Sequence, residues 1–289
     1  MKKKYVVKYV VFVLLMVLLS ALYGCEGYSV QVSVNKSSET KDKLKVHFID
    51  VGQGDSILLQ NGERFMLIDG GPNSSTDKVL SYLKKTGVKN LDYVVATHPH
   101  EDHIGGIDKV IDTFQIETVY MPKVTATTKT FKDVVESMKK KNLKAKIPVA
   151  GEEFKFGEAK VTILAPNSST YEDTNNYSIV LKVAYGENSF LFTGDAESLS
   201  EKEILKKGLD IKADVIKLGH HGSRTSSSSA FLKEVNPKYG VITVGKDNDY
   251  GHPHKEIMER VKGMNIKIYR TDEKGDIVIV SDGKDITLE

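Results

Sequence analysis

The sequence is poor in cysteine and has no marked excess of either charge. Its 289 residues include one cysteine, Cys25, so the chain beyond it can form no internal disulfide. That part of the chain also offers no thiolate as a metal ligand or as a nucleophile. The 41 Lys and Arg residues against 39 Asp and Glu give a net charge of +2, which excludes an overall basic composition of the nucleic-acid-binding type. Any basic surface must therefore be local.

The N-terminus has the pattern of an export signal. Several lysines between Lys2 and Lys8 precede an apolar run from Tyr9 to Leu22, which is short for a membrane-spanning helix of about 20 residues. Leu22-Tyr23-Gly24-Cys25 resembles the lipobox of bacterial lipoproteins, in which the cysteine is lipidated. An uncleaved signal anchor is the alternative. Both interpretations predict that residues 26 onward lie outside the cytoplasm, either tethered to the outer face of the cell membrane or secreted.

Beyond this signal, assigned to residues 1–25, the composition changes twice. Residues 26–43 are rich in Ser, Lys, Glu and Thr and are predicted to form a polar tether. Residues 44–289 are predicted to form a single α/β domain, long enough to bury a core of its own. The apolar pattern predicts helices at 77–85, 107–114, 129–141 and 199–207. It predicts strands at 44–51, 56–60, 64–68, 91–96, 118–121, 179–184, 189–192 and 214–218.

The domain repeats one order of elements twice. In the first half, a hairpin about Asn61-Gly62 leads to Asp69, and a helix and a buried strand then lead to His98. In the second half, a hairpin leads to Asp195, and a helix and a buried strand lead to His220. If two such halves pack sheet against sheet with helices outside, both sets of loops meet at one edge.

Four residues suited to metal binding lie close together: His98, His100, Asp102 and His103. Imidazole and carboxylate groups are ligands for Zn²⁺ and related ions in sites that keep a position open for water. In an extended segment, His98 and His100 point the same way and can chelate one ion. If the chain turns into a helix near Asp102, then Asp102 and His103 can face a second ion, and Gly105-Gly106 permits the bend. The cluster therefore predicts a two-metal site.

The pattern His-x-His-x-Asp-His resembles the signature of the metallo-β-lactamase superfamily. That resemblance implies an αββα four-layer sandwich with a one- or two-metal site, and it extends over residues 44–280. More specific motifs resemble one branch, the hydrolase domain of the ComEC-type DNA-uptake competence proteins. These motifs are Asp50–Ser56, Leu67–Gly71, Asn175–Leu181, Phe192–Asp195, His220–Ser223, Tyr250–His254 and Tyr269–Asp272.

The resemblance implies roles for five residues of the first half. His98 and His100 hold the first metal ion, and Asp102 and His103 hold the second. Asp69 is the partner that orients the ligand loop by hydrogen bonding.

In the second half, the resemblance makes Asp195 the ligand that bridges both ions, against the alternative of an ordinary helix cap. One histidine of the pair His220-His221 completes the second site, and adjacent residues on an extended chain are expected to face opposite ways. Most superfamily members supply a third histidine to the first metal from the region before the bridging aspartate. Here Asn175 and Ser178 stand in that region, as they do in the competence branch. Poorer nitrogen ligation makes Mn²⁺ an alternative to Zn²⁺.

The remaining candidates are peripheral. His252 and His254 are both consistent with an ordinary helix start, but the resemblance makes His252 a candidate phosphate contact or proton donor. His47 is consistent with a structural role. Ser223 and Arg224 open a serine-rich loop before a helix, which suits phosphate capture at the helix N-terminus or, alternatively, an ordinary cap.

These features predict an exported two-metal hydrolase that acts on a phosphodiester, with DNA as the first substrate to test. The expected mechanism is attack by a hydroxide held between the ions, with Asp102 or Asp195 accepting its proton. His252, or whichever of His220 and His221 does not bind metal, assists the leaving group. One alternative is a surface hydrolase of another phosphoester, of the teichoic-acid or phosphocholine type. The other is a non-enzymatic binding module of DNA-uptake machinery.

Overall fold

The structure is a computed structural model that describes residues Asp42–Glu289. The predicted signal at 1–25, its Cys25 and nearly all of the predicted tether lie outside the described residues. Within the described part, no helix is both long and apolar enough to cross a membrane.

The described strands form two mixed sheets. The first sheet has eight strands in the spatial order β15-β14-β1-β2-β3-β4-β5-β6. Its strands are β1 (Leu44–Phe48), β2 (Ile57–Asn61), β3 (Arg64–Ile68), β4 (Asn90–Val95), β5 (Gln115–Tyr120), β6 (Ala145–Lys146), β14 (Ile277–Ser281) and β15 (Ile286–Leu288). The second sheet has seven strands in the order β13-β12-β11-β10-β9-β8-β7. Its strands are β7 (Glu153–Phe156), β8 (Ala159–Ala165), β9 (Val180–Tyr185), β10 (Asn188–Phe192), β11 (Val215–Lys217), β12 (Tyr239–Ile242) and β13 (Lys267–Arg270).

Helices cover the outer face of each sheet. The helices that follow strands of the first sheet are α1 (Thr76–Lys85), α2 (Glu101–Ile104), α3 (Ile107–Thr113) and α4 (Lys129–Lys140). Those that follow strands of the second sheet are α5 (Ser198–Lys207), α6 (Ser229–Val235), α7 (Lys255–Gly263) and α8 (Thr271–Lys274). Short 3₁₀ turns lie at Asn73–Ser75, Thr174–Tyr177 and Gly219–Gly222.

Three apolar clusters separate the layers, and strand alternation explains them. Along β10, Phe190 and Phe192 face the cluster between the sheets, whereas Leu191 faces the cluster under the helices of the second half. Along β3, Met66 likewise faces the first sheet's inner side and Leu67 its helix side. This alternation produces helix, sheet, sheet and helix in sequence, so the predicted αββα sandwich is confirmed.

The predicted repetition of the two halves is present in the topology. An antiparallel hairpin, β2–β3, is followed by α1 and by β4 parallel to β3. The hairpin β9–β10 is followed by α5 and by β11 parallel to β10. Because the carboxyl ends of parallel strands meet at the same edge of a sheet, the loops after β3, β4, β10 and β11 converge.

One predicted strand was misplaced. The interval 118–121 lies three residues late, because β5 begins at Gln115. Its first half carries Gln115 and Glu117 on an exposed face, which hides the strand from a search for apolar runs.

Candidate metal centre

The loop after β4 brings the first ligand group to the edge of the sandwich. His98 is buried at the end of an extended segment, and α2 begins directly after His100. This change of direction turns Asp102 and His103 inward, as predicted from the sequence. His98 and His100 therefore lie on extended backbone, whereas Asp102 and His103 lie on the helix that follows.

Four side chains from both halves converge on a single point: Asp102, His103, Asp195 and His221. Their candidate ligand atoms all lie within 4.8 Å of one another. Asp195 Oδ2 lies 3.2 Å from His103 Nε2 and 3.5 Å from His221 Nε2. Asp102 Oδ2 lies 3.3 Å from His221 Nε2. This quartet has the donor set of a divalent-metal site.

A second ligand group lies beside the quartet, nearer the surface. His98 Nε2 lies 3.0 Å from His100 Nδ1 and 3.8 Å from Asp195 Oδ2. His98 is buried, whereas His100 is exposed at the rim. Asp195 Oδ2 therefore faces both groups, which is the placement expected of a bridging ligand. Asp195 does not cap α5, because the N-cap position of that helix belongs to Glu197.

The expectation that His220 and His221 face opposite ways is wrong. Both residues have left-handed backbone angles, with φ of 50° and 53°, in a short 3₁₀ turn, so the chain is not extended there. Both rings consequently point into the site, and His220 Nε2 lies 3.7 Å from Asp195 Oδ2. His221 is buried within the quartet, whereas His220 is partly exposed and its Nδ1 lies 3.3 Å from Glu197 Oε1.

Hydrogen bonds fix the orientation of the ligand rings. Asp69 Oδ2 lies 2.8 Å from His103 Nδ1, and its carboxylate also accepts from the backbone N–H and hydroxyl of Thr97. His221 Nδ1 lies 2.8 Å from the Thr243 carbonyl, to which it can only donate. Each contact occupies Nδ1, so Nε2 of His103 and of His221 is left to serve as the ligand atom.

Asn175 and Ser178 occupy the place expected from the sequence. Ser178 Oγ accepts the backbone N–H of Asp195 and lies 3.3 Å from His98 Nδ1. Asn175 Nδ2 lies 3.3 Å from Glu197 Oε1, and Asn175 Oδ1 is buried without a hydrogen-bond partner among the described residues. Ser178 thus supports both ligand groups, and Asn175 Nδ2 lies 3.4 Å from His220 Nδ1.

Two buried charged residues beneath the site were not identified from the sequence. Lys217 is fully buried, with its Nζ 2.5 Å from Asp55 Oδ2 and 3.6 Å from Asp195 Oδ1. It also donates to the Gly194 carbonyl at 2.9 Å. Asp55 accepts a hydrogen bond from the Thr243 hydroxyl and lies 3.4 Å from His221 Nδ1. The sequence did contain one signal for this pair: Lys217 ends a short apolar strand, and a lysine buried there requires an anionic partner.

The electrostatics of the cluster favour cations. Burial by itself would lower the pKa of His103, but Asp195, Asp102 and Asp69 raise it well above its ordinary value. Burial would raise the pKa of Asp195, but the facing rings of His103 and His221 hold it well below its ordinary value. The carboxylates therefore stabilise positive charge at the rings, as they would stabilise a metal cation held between them.

The fit to metal ions follows from unpaired donor atoms. Among residues 42–289, three buried atoms of the quartet have no hydrogen-bond partner: His103 Nε2, His221 Nε2 and Asp195 Oδ1. Unpaired buried polar atoms are costly, and the two ring nitrogens converge on Asp195 Oδ2, whereas Asp195 Oδ1 faces Lys217. A divalent cation held between the two rings and the carboxylates of Asp102 and Asp195 would satisfy these nitrogens, so the residues present fit a metal ion.

The predicted phosphate-binding loop has a structural role instead. Glu201 accepts the backbone N–H groups of Ser227 and Ser228, and the Ser228 side chain caps α6. Ser223 Oγ pairs with Thr225, and Arg224 is exposed. Neither Ser223 nor Arg224 is among the described residues that line the metal cavity. The interpretation as an ordinary cap is therefore the better one.

A cavity of about 750 Å³ opens above the ligands, and Tyr250 and His252 form one wall. Burial, followed by the neighbouring histidines, lowers the pKa of His252 to about 4, so its ring is neutral at pH 7. A neutral ring favours the predicted phosphate contact over the predicted proton donor. Tyr250 is 67% exposed and stacks on His252 with ring centroids 5.6 Å apart. His254 lies beside them, with Nδ1 accepting the backbone N–H of Arg224.

The eighth histidine lies outside the site. His47 is on β1, and its Nδ1 lies 3.0 Å from the hydroxyl of Tyr82 on α1. Its contact with a helix of the outer layer agrees with the predicted structural role.

Comparison with known families agrees with this geometry. Residues 49–246 match the metallo-beta-lactamase superfamily. The chain belongs to this superfamily. It is accordingly a metal-dependent hydrolase by family, with a His/Asp cluster that can hold metal ions.

Two curated relatives place it near the competence proteins. Over 253 residues it is 31% identical to ComE operon protein 3 of Bacillus subtilis (strain 168), covering 81% of this chain and 32% of that protein. Over 246 residues it is 30% identical to Competence protein ComA of Neisseria gonorrhoeae, covering 84% and 33% respectively. The predicted branch is therefore confirmed, and the chain spans about a third of the length of these relatives.

A solved structure shares the fold. The metallo-beta-lactamase fold protein YhfI from Bacillus subtilis superposes with a TM-score of 0.57 at 16% identity, covering 83% of this chain and 100% of that one. At this identity the likeness concerns the fold alone.

Proposed function

We propose that the protein is an exported phosphodiesterase that cleaves DNA with two bound divalent metal ions, Zn²⁺ or Mn²⁺. The observation that carries the proposal is the buried quartet of Asp102, His103, Asp195 and His221 beneath an open cavity. The relative named Competence protein ComA, together with the motifs that resemble the DNA-uptake branch, makes DNA the first substrate to test.

The charge of the cavity favours a diester over a monoester. Among the described residues that line it, there is no Lys or Arg, and the anionic ones are Glu101, Asp102 and Asp195. A phosphomonoester carries close to two negative charges at pH 7, whereas a phosphodiester carries one. The diester therefore requires less positive charge from the protein, and the metal ions supply what is needed.

The metal ions would be held by the quartet and by the neighbouring group of His98, His100 and Asp195. When bound, two such ions supply a water of lowered pKa and stabilise the charge that develops on the phosphoryl oxygens. The chain's own residues then divide the remaining tasks. Asp69 and the Thr243 carbonyl hold the ligand rings in orientation.

Proton transfer and substrate contact fall to residues at the cavity wall. The side chain of Asp102 is 31% exposed, whereas that of Asp195 is 2% exposed, so Asp102 would be the better placed to accept a proton from a water in the cavity. His252, as a neutral ring, donates a hydrogen bond to a phosphate oxygen. Tyr250 offers an exposed aromatic face beside it.

The test is a substrate panel with the full-length, metal-loaded protein. DNA, RNA, bis-p-nitrophenyl phosphate, a phosphomonoester and a phosphocholine ester are each assayed with Mn²⁺ and with Zn²⁺. We expect hydrolysis of DNA and of the model diester, and little of the monoester. Preference for the phosphocholine ester would favour the other surface phosphoester hydrolase. Inactivity towards the whole panel, with metal content verified, would contradict an enzymatic role and favour a binding module.

The location of the protein is a separate part of the proposal. It rests on Lys2 to Cys25, which lie outside the described residues. We expect metabolic labelling with palmitate to mark the wild-type chain and not Cys25→Ala, and protease added to intact cells to digest the domain. Lack of label in the wild type would favour the uncleaved anchor over the lipoprotein.

A further inference from the structure

A second groove lies next to the metal cavity. It has a volume of about 900 Å³ and is walled by the chain after β5, the outer side of α4, the edge strand β6 and part of the segment 169–177. We call it the side groove. Neither the family match nor the proposed reaction assigns it a role.

Two stretches of chain connect the side groove to the residues around the metal cavity. Tyr177 lines the side groove, and the next residue, Ser178, contacts the ligand His98 at 3.3 Å. On the other side, Lys123 and Thr125 line the side groove, whereas Thr128 lines the metal cavity. Only a few residues of chain thus separate the two cavities, which is the placement needed for one polymer to occupy both.

The chemistry of the side groove is apolar with a basic rim. Val135 and Ile147, which are 44% and 43% exposed, lie together in its lining, and Tyr177 adds an aromatic face. Lys123 and Lys139 are exposed in its lining, and neither forms an ion pair with another residue of 42–289. Apolar and aromatic surfaces receive unpaired bases, and free lysines neutralise the phosphates between them.

These features distinguish a single strand from a duplex. A duplex presents phosphates outward and keeps its bases stacked inside, so it would contact the lysines and leave the apolar surface unused. We infer that the side groove binds the single-stranded nucleic acid that adjoins the scissile phosphodiester. This inference rests on the proposed phosphodiesterase function and specifies its substrate.

The test separates binding from cleavage. A fluorescent eight-nucleotide DNA strand is titrated with the full-length protein in excess chelator, and its Kd is measured by anisotropy. We expect Val135→Glu and Ile147→Glu each to raise Kd at least about fivefold, because each places a negative charge where a base would lie. Hydrolysis of bis-p-nitrophenyl phosphate by the metal-loaded variants should stay at the wild-type rate, since that substrate does not reach the side groove.

A matched control comes from the other edge of the same sheet. Leu288 is 42% exposed on β15, the opposite edge strand from β6. Leu288→Glu should leave both Kd and hydrolysis unchanged. The milder variant Lys123→Ala/Lys139→Ala, which alters only exposed side chains, should raise Kd and flatten its dependence on salt concentration.

Each contrary result has a distinct meaning. An unchanged Kd in all three groove variants would overturn the inference, and this outcome is also the one expected of a groove that serves a protein partner. Equal or tighter binding of a duplex of the same length would overturn the single-strand assignment. Failure of the wild type to hydrolyse the model diester would contradict the proposed function, while the Kd comparison would still decide the role of the side groove.

Discussion

The two ligand groups of the metal centre differ in depth and in support. The quartet of Asp102, His103, Asp195 and His221 is drawn from both halves of the chain, and three of its members are buried. The neighbouring group rests on His98 and on the exposed His100, with Asp195 shared. Beneath the quartet lies the buried ion pair of Lys217 and Asp55, which we call the buried charge layer. The other group instead opens to the cavity at His100.

Because of this difference, the quartet should hold its geometry without metal, whereas the other group should bind its ion more weakly and exchange it more readily. Ligands that are oriented by buried hydrogen bonds hold their geometry before any ion arrives, which lowers the cost of binding. A ligand at the rim has fewer such contacts, so water can replace it. We therefore expect substitutions in the quartet to cause the larger losses of metal affinity and activity, and substitutions in the other group to cause smaller ones.

The largest effect is expected at the shared ligand. Asp195→Asn removes the carboxylate that faces both groups and should lower diesterase activity by at least about a thousandfold, since bound metal contributes several kcal/mol to the transition state. Steady-state hydrolysis of bis-p-nitrophenyl phosphate measures it. Asp112→Asn, on the exposed end of α3, is the control. Activity within tenfold of wild type would refute the bridging role of Asp195.

The buried charge layer should matter next. Lys217→Met leaves Asp55 without its cation and should lower the free energy of unfolding by about 3–5 kcal/mol, as for other buried pairs broken at one partner. Denaturant titration measures this. The double variant Lys217→Met/Asp55→Leu should recover part of the loss, because no unpaired charge remains. A single variant as stable as wild type would show that the layer does not support the quartet.

The rim ligand should have a smaller effect. His100→Ala should reduce activity about 10- to 100-fold and lower the metal content from nearly two ions to nearly one, whereas His103→Ala should abolish activity. Elemental analysis of the same samples gives the metal content. If the two variants lose equal activity and equal metal, the proposed contrast between the groups is wrong.

The smallest effect is expected outside the cavity. Arg224→Ala should change KM for DNA by no more than about twofold, because its side chain is exposed and does not line the metal cavity. A rise in KM above tenfold would restore the predicted phosphate-binding role of this loop.

Much of this arrangement could be predicted from the sequence, because the ligand loops follow strands with clear apolar patterns. The positions of Asp69, His98 and Asp195 at strand ends are consequences of the repeated order of elements. The orientation of His220 and His221 could not be predicted in this way, since a left-handed turn at two adjacent non-glycine residues has no compositional signal. The ion pair of Asp55 and Lys217 could not be predicted either, because the two residues are distant in the chain and meet only when the two sheets pack together.

The central claim is that this His/Asp cluster is a metal centre for phosphodiester hydrolysis. The most direct test strips the full-length protein with chelator and then restores Mn²⁺ or Zn²⁺, with metal content and hydrolysis of bis-p-nitrophenyl phosphate measured on each sample. We predict that activity disappears with the metal and returns in proportion to the ions rebound in the wild type, but not in Asp195→Asn. Undiminished hydrolysis by the stripped protein, or full metal binding without hydrolysis of any phosphodiester, would contradict the claim.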